Sequence, residues 1–132
     1  MSRDMTRRLA VAGLAALPVL AGCDSPSPAS ADLLIQPIEI ESVAVRVLES
    51  SPPQASAHVR GLIGDGCSSL HSVRQERSEA TVVLTILRQR PADAVCTQIA
   101  KLYDETIRLD GTFPPGRYVL RVNGFETSFT SE

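Results

Sequence analysis

Two histidines, two adjacent serines, a glycine-flanked aspartate and four closely spaced arginines are the residues of this chain whose types suit chemistry. His58 and His71 would serve as general bases or metal ligands if something brought them together, since a neutral imidazole offers a lone pair near neutral pH. They fall on separate predicted strands with no metal-ligand spacing between them. Ser68 and Ser69 lack the flanking pattern of a nucleophile elbow and read as turn serines. Asp65, between Gly64 and Gly66, offers one carboxylate, whereas a calcium loop needs several more oxygens at fixed spacing. The inventory predicts no catalytic residue, no metal and no cofactor, so the chain reads as a non-enzyme. Arg74, Arg77, Arg88 and Arg90 sit on a predicted hairpin, where cross-strand neighbours gather into one patch with Glu76 and Glu79 among them. Such a patch is either a soluble charged face or a docking face for a partner, where arginine is enriched.

The start of the chain carries an address. Arg3, Arg7 and Arg8 make a basic flank, and Leu9 to Leu20 (LAVAGLAALPVL) is an uncharged apolar run. That run suits the central region of an export signal and is too short for a stable bilayer span, which takes about 20 residues. It ends in Leu20-Ala21-Gly22-Cys23, which closely resembles the lipobox of bacterial lipoproteins. The resemblance implies cleavage before Cys23, diacylglycerol on its thiol and, in many cases, acylation of the new amine. Two or three acyl chains then hold the protein firmly, at about 0.8 kcal/mol per buried methylene. On this reading residues 1–22 are a signal peptide and residues 23–32 are the acylated cysteine with a Ser-, Pro- and Ala-rich tether. The expected location is the extracytoplasmic face of a membrane in the cell envelope. Asp24 resembles a retention residue for the inner membrane.

The rest of the composition fits one small exported domain. Removing the signal takes three of 13 basic and one of 15 acidic residues, leaving a chain of about −4 by that count. A mildly acidic domain with scattered arginines does not suit nucleic acid, and the absence of Trp leaves no evident aromatic platform. With Cys23 committed to lipid, Cys67 and Cys96 are an even pair in an oxidising compartment, and they lack a C-x-x-C or a ligand cluster that would suggest redox or metal work. A structural disulfide between them is expected to stabilise by about 3–4 kcal/mol.

Period-2 alternation dominates residues 33–132, the expected domain. Ile38 and Ile40 alternate with Glu39 and Glu41, then Val43, Val45 and Val47 continue after a slip of one residue near Ser42. The slip predicts a bulge or a crossing between sheets. A second strand spans about Ala55 to Ile63, a third about Leu70 to Glu76, and a fourth Ala80 to Leu87, the most β-branched run and so the most central. Residues 92–98 suit one helical turn. Tyr103, Glu105, Ile107 and Leu109 alternate next. Tyr118, Leu120 and Val122 then lead into Asn123-Gly124, a pair favoured in type I′ turns, with Phe125, Thr127 and Phe129 beyond. About seven short strands predict an all-β, immunoglobulin-like antiparallel β-sandwich.

Phe113-Pro-Pro-Gly-Arg-Tyr118-Val-Leu-Arg-Val-Asn-Gly124 resembles the end of many bacterial immunoglobulin-like domains, which carry a Pro-x-Gly-x-Tyr corner. Residues 43–129 also resemble a small uncharacterised envelope-lipoprotein domain, through Val47-Leu48-Glu49-Ser50, Gly66-Cys67, Gln75-Glu76-Arg77 and Arg90 to Cys96. The resemblance implies the fold, the Cys67–Cys96 bridge and the location, and brings no activity with it. The expected function is a non-enzymatic binding or accessory module, anchored to the membrane by lipid and partnered by another envelope protein. The alternative is a tethered protease inhibitor resembling the chagasin-like immunoglobulin-fold inhibitors. Here, however, Arg90-Pro91 is followed by Ala92 and the Asn-Pro-Thr loop of that family is absent. An inhibitor needs the Asp110 to Gly116 and Arg90 to Cys96 loops at one end.

Overall fold

In the computed structural model, the described residues are 32–132 together with Gly13 and Gly22. The signal, the lipobox cysteine Cys23 and most of the tether therefore lie outside them. Eight strands follow in order: β1 (Leu33–Pro37), β2 (Glu39–Leu48), β3 (Gln54–Gly64), β4 (Ser69–Ser78), β5 (Thr81–Pro91), β6 (Lys101–Arg108), β7 (Gly116–Val122) and β8 (Phe125–Ser131). They form two sheets, β2-β3-β6 and a five-stranded sheet centred on β5. The expected all-β sandwich with one disulfide, Cys67–Cys96, is the fold. No helix forms at residues 92–98, where the chain runs irregularly between the sheets. No helix among the described residues is long and apolar enough to cross a membrane.

The alternation read from the sequence places the core. Ala55, Ala57 and Val59 of β3 face Val82, Leu84 and Ile86 of β5 and Leu120 and Val122 of β7, with Tyr103, Leu109, Phe113 and Tyr118 closing the ends. The run expected to be most central, Ala80 to Leu87, falls on β5, which has neighbours on both edges. One edge pairs with β4 from Thr81 to Gln89, and the other is shared by β7 over Thr81–Leu84 and β1 over Leu87–Pro91. The β5–β7 pair is parallel, and every other pair is antiparallel.

Both outcomes expected near Ser42 occur. The β2–β3 register shifts between Ile40 and Ser42, and the chain changes sheets just before, at Ile38. That residue is buried, with its N–H donating to Ile86 O at 3.1 Å. Gly61 makes the shift possible: a Cβ there would lie 2.0 Å from Glu39 O.

The Asn123-Gly124 turn departs from type I′, because Asn123 has a positive φ (54°) and Gly124 does not. Asn123 is held by what its amide does. Its Nδ2 donates to Ile38 O (2.9 Å) and Ile86 O (3.1 Å), and its Oδ1 accepts from Ile86 N–H (2.9 Å). One side chain thus fills the seam where β7 ends and β1 takes its place beside β5. The Pro-x-Gly-x-Tyr corner forms as the resemblance implies: Tyr118 is buried and its hydroxyl donates to Pro114 O at 2.6 Å.

Candidate functional site

The sandwich opens at the end where β3 and β5 finish, and side chains of unusual polarity fill the opening. On β5 the inward positions are Val82, Leu84 and Ile86, and the same parity carries on to Arg88 and Arg90. Both arginines therefore point between the sheets, where the core has run out.

Arg88 Nη1 donates to Ile63 O (3.1 Å) and to Ser68 Oγ (3.5 Å), and its Nη2 donates to Gln36 Oε1 (2.8 Å). Arg90 Nη2 lies 3.4 Å from Asp65 Oδ2, and it reaches Ala94 O and Cys96 Sγ at the same distance. Arg90 Nε is buried with no hydrogen-bond acceptor among the described residues.

Asp65 organises the turn between β3 and β4. Its Oδ1 accepts from Cys67 N–H (3.1 Å) and Ser68 Oγ (3.0 Å). Partial burial pushes its carboxyl upward, but the Ser68 and Cys67 hydrogen bonds and the charges of Arg90 and Arg88 more than offset that. The carboxyl is held below its ordinary value. Ser68, read as a turn serine, is fully buried, and its carbonyl accepts from Lys101 Nζ at 3.0 Å.

Ligand atoms of Asp65, Cys67 and Cys96 lie within 4.8 Å of one another. Both sulfurs are bonded to each other, so they have no thiolate to offer a metal. The Ser68 hydroxyl donates to a carboxylate and sits beside a guanidinium, away from solvent. This arrangement can hold two loops and two sheet ends together, and it presents no nucleophile.

The four arginines do not gather into one patch. Arg77 pairs with Val82 and shares its inward face, whereas Arg74 pairs with Thr85 and points outward. Arg77 and Arg88 also lie at opposite ends of the hairpin. The guanidinium of Arg77 covers the Phe113 ring at 4.2 Å, and Nη1 donates to Asp110 O (3.3 Å). Beside it, Gln75 bridges the sheets, with Nε2 donating to Arg108 O and Oε1 accepting from Asp110 N–H. These arginines close the sides of the sandwich, and Arg74 is the member of the set left facing outward.

The histidines are surface side chains, as read. His58 Nε2 lies 2.5 Å from Asp104 Oδ1 on the outer face of β3 and β6, with Arg60 on the other carboxylate oxygen, and His71 contacts Gln89. An open concavity of about 670 Å³ at the far end is lined by the carboxylates of Glu49 and Glu132, the hydroxyls of Ser50, Ser51 and Thr130, and apolar side chains including Val47 and Leu48.

The ORF11 beta-sandwich domain profile matches residues 57–131. A protein of Herpetosiphon aurantiacus, the uncharacterized 10.2 kDa protein in the HgiCIIM 5′ region, is 38% identical over 84 residues, which is 64% of this chain and 89% of the relative. A second from that organism, the uncharacterized 10.2 kDa protein in the HgiBIM 5′ region, is 35% identical over 74 residues, 56% of this chain and 90% of the relative. No solved structure matches the chain. The match over more than half its length, across β3 to β8, places the chain in the ORF11 beta-sandwich domain family.

Proposed function

We propose that the chain is a membrane-anchored envelope lipoprotein whose sandwich acts as a non-enzymatic binding or accessory module. The observation that carries this reading is the sequence Leu20-Ala21-Gly22-Cys23 directly after a basic flank and an apolar run of export-signal length. The Cys67–Cys96 bridge supports it, because such bonds persist outside the reducing cytosol. Asp65, Ser68, Arg77, Arg88 and Arg90 are spent on contacts within the domain, which suits a rigid display scaffold.

The inhibitor alternative has no observation in its favour. Phe113 N–H bonds Pro53 O just before β3 begins, while the 92–100 segment bonds Gly66 just after β3 ends, so the two loops lie at opposite ends.

The test is to express the full chain and its C23A variant, fractionate the cells and weigh the N-terminal peptide. Wild type in the membrane fraction with a diacylglyceryl adduct on Cys23 supports the anchor; an uncut or unmodified N-terminus refutes it. For the module reading, crosslinking in intact cells should recover an envelope protein, and a charge reversal at Arg74 should weaken that recovery several-fold if the outer β4–β5 face docks.

A further inference from the structure

The open end described above is also where large aliphatic side chains stand in solvent. Val95 is 102% exposed, Ile99 72% and Leu102 70%, and Leu33 and Leu34 are about half exposed. Connectivity puts them at one tip. Leu33 pairs with Pro91 and Lys101 with Gly64, and the loop between Pro91 and Lys101 carries Val95 and Ile99. That loop is pinned: Ala92 N–H donates to Asp32 O, Gly66 N–H to Thr97 O, and Cys96 is bridged to Cys67. The aliphatic groups are therefore held out by a fixed frame.

We infer that this tip rests on the lipid surface, with Val95 and Ile99 entering the interface and Leu33, Leu34 and Leu102 around them. The inference deepens the anchor reading and rests on it. Asp32, just before β1, belongs to the same tip, and only the nine residues Asp24 to Asp32 separate Leu33 from Cys23. Fully extended, that connection spans about 35 Å, so an acylated Cys23 brings this end toward the bilayer.

The short connection to an acylated Cys23 selects lipid over a protein partner: the exposed tip side chains are aliphatic, Val, Ile and Leu, and the nearby Arg88 and Arg90 are committed internally. Asp32 and Asp93 flank the tip, so the contact is apolar and requires no anionic headgroups. Amphipathic helices in the interface bury their apolar face about 5–10 Å into the headgroup boundary, the depth expected for Val95 and Ile99.

The chain contains no Trp, so a single introduced indole reports its own depth. Full-length V95W, I99W and A80W proteins are purified from membranes, their Cys23 acylation is read by mass, and each is reconstituted in phosphatidylcholine vesicles with brominated acyl chains. Ala80 lies in the β4–β5 turn at the far end. The expected result is blue-shifted emission for V95W and I99W, quenched at least threefold more than A80W, with no change at high salt. Acylated protein whose V95W and I99W indoles stay as exposed as that of A80W overturns the tip and leaves the anchor standing. Protein without lipid on Cys23 overturns both.

Discussion

Asp65 is the residue on which the open end depends, and its environment fixes a pH response. Its carboxyl is held below the ordinary value by Ser68, Cys67, Arg90 and Arg88 despite partial burial. An unfolded aspartate titrates near about 3.9, so the stabilisation is fully present above about pH 4 and is lost as pH falls through the folded value. Melting temperatures from pH 7 to 3 should fall for wild type, and the acid-side fall should be shallower in D65N, which is already less stable at pH 7. Gly61 makes a second test. G61A drives a Cβ against the Glu39 carbonyl, with no flexible side chain to yield, and should cost about 1–3 kcal/mol by chemical denaturation. The arginines show what was legible at this scale. The alternation through Val82, Leu84 and Ile86 already dictates where Arg88 and Arg90 point, and applying it would have separated them from Arg74. What no local pattern indicates is that Ser68 is fully buried, because Asp65 meets it within the turn but Arg88 and Lys101, 20 and 33 residues away, reach it only once the strands assemble.

At the scale of elements, the strands after β1 were legible because one face of each turns toward the core and the other toward water. The slip at Ser42 is visible for the same reason, since the inward phase changes there. Three features left no such mark. β1, Leu33–Pro37, is exposed along its length and shows no alternation. The parallel β5–β7 pairing joins strands from distant parts of the chain, and pattern within a strand does not name its neighbour. Asn123 reads as a turn residue, whereas its amide reaches Ile38, 85 residues earlier. N123A leaves the Ile38 carbonyl and the Ile86 N–H short of their side-chain partner and should cost about 2–3 kcal/mol, with hydrogen exchange rising first at Ile38 and Ile86. Y118F removes the hydroxyl bond to Pro114 and should cost about 1 kcal/mol, leaving the ring packed against Phe113 and Phe129.

For the whole molecule, two small sheets enclose a modest core, and the Cys67–Cys96 bridge ties the irregular 92–100 segment back to the turn after β3. Replacing both cysteines by alanine should lower stability by about 3–4 kcal/mol, and the 92–100 segment should become the first protease-sensitive site. The seam at Asn123 also gives the domain a mechanical grain. A pull applied at Asp32 loads β1 first, and β1 is a short exposed strand joined to the rest mainly through β5. Peeling proceeds to Pro37 and meets Ile38, which is buried in the core and held by both Ile86 and Asn123. The detached strand frees about 17 Å of chain, at about 3.4 Å per residue, before the core bears any force. The domain thus carries a built-in length of slack with a hard stop, and it can yield at β1 without losing its shape.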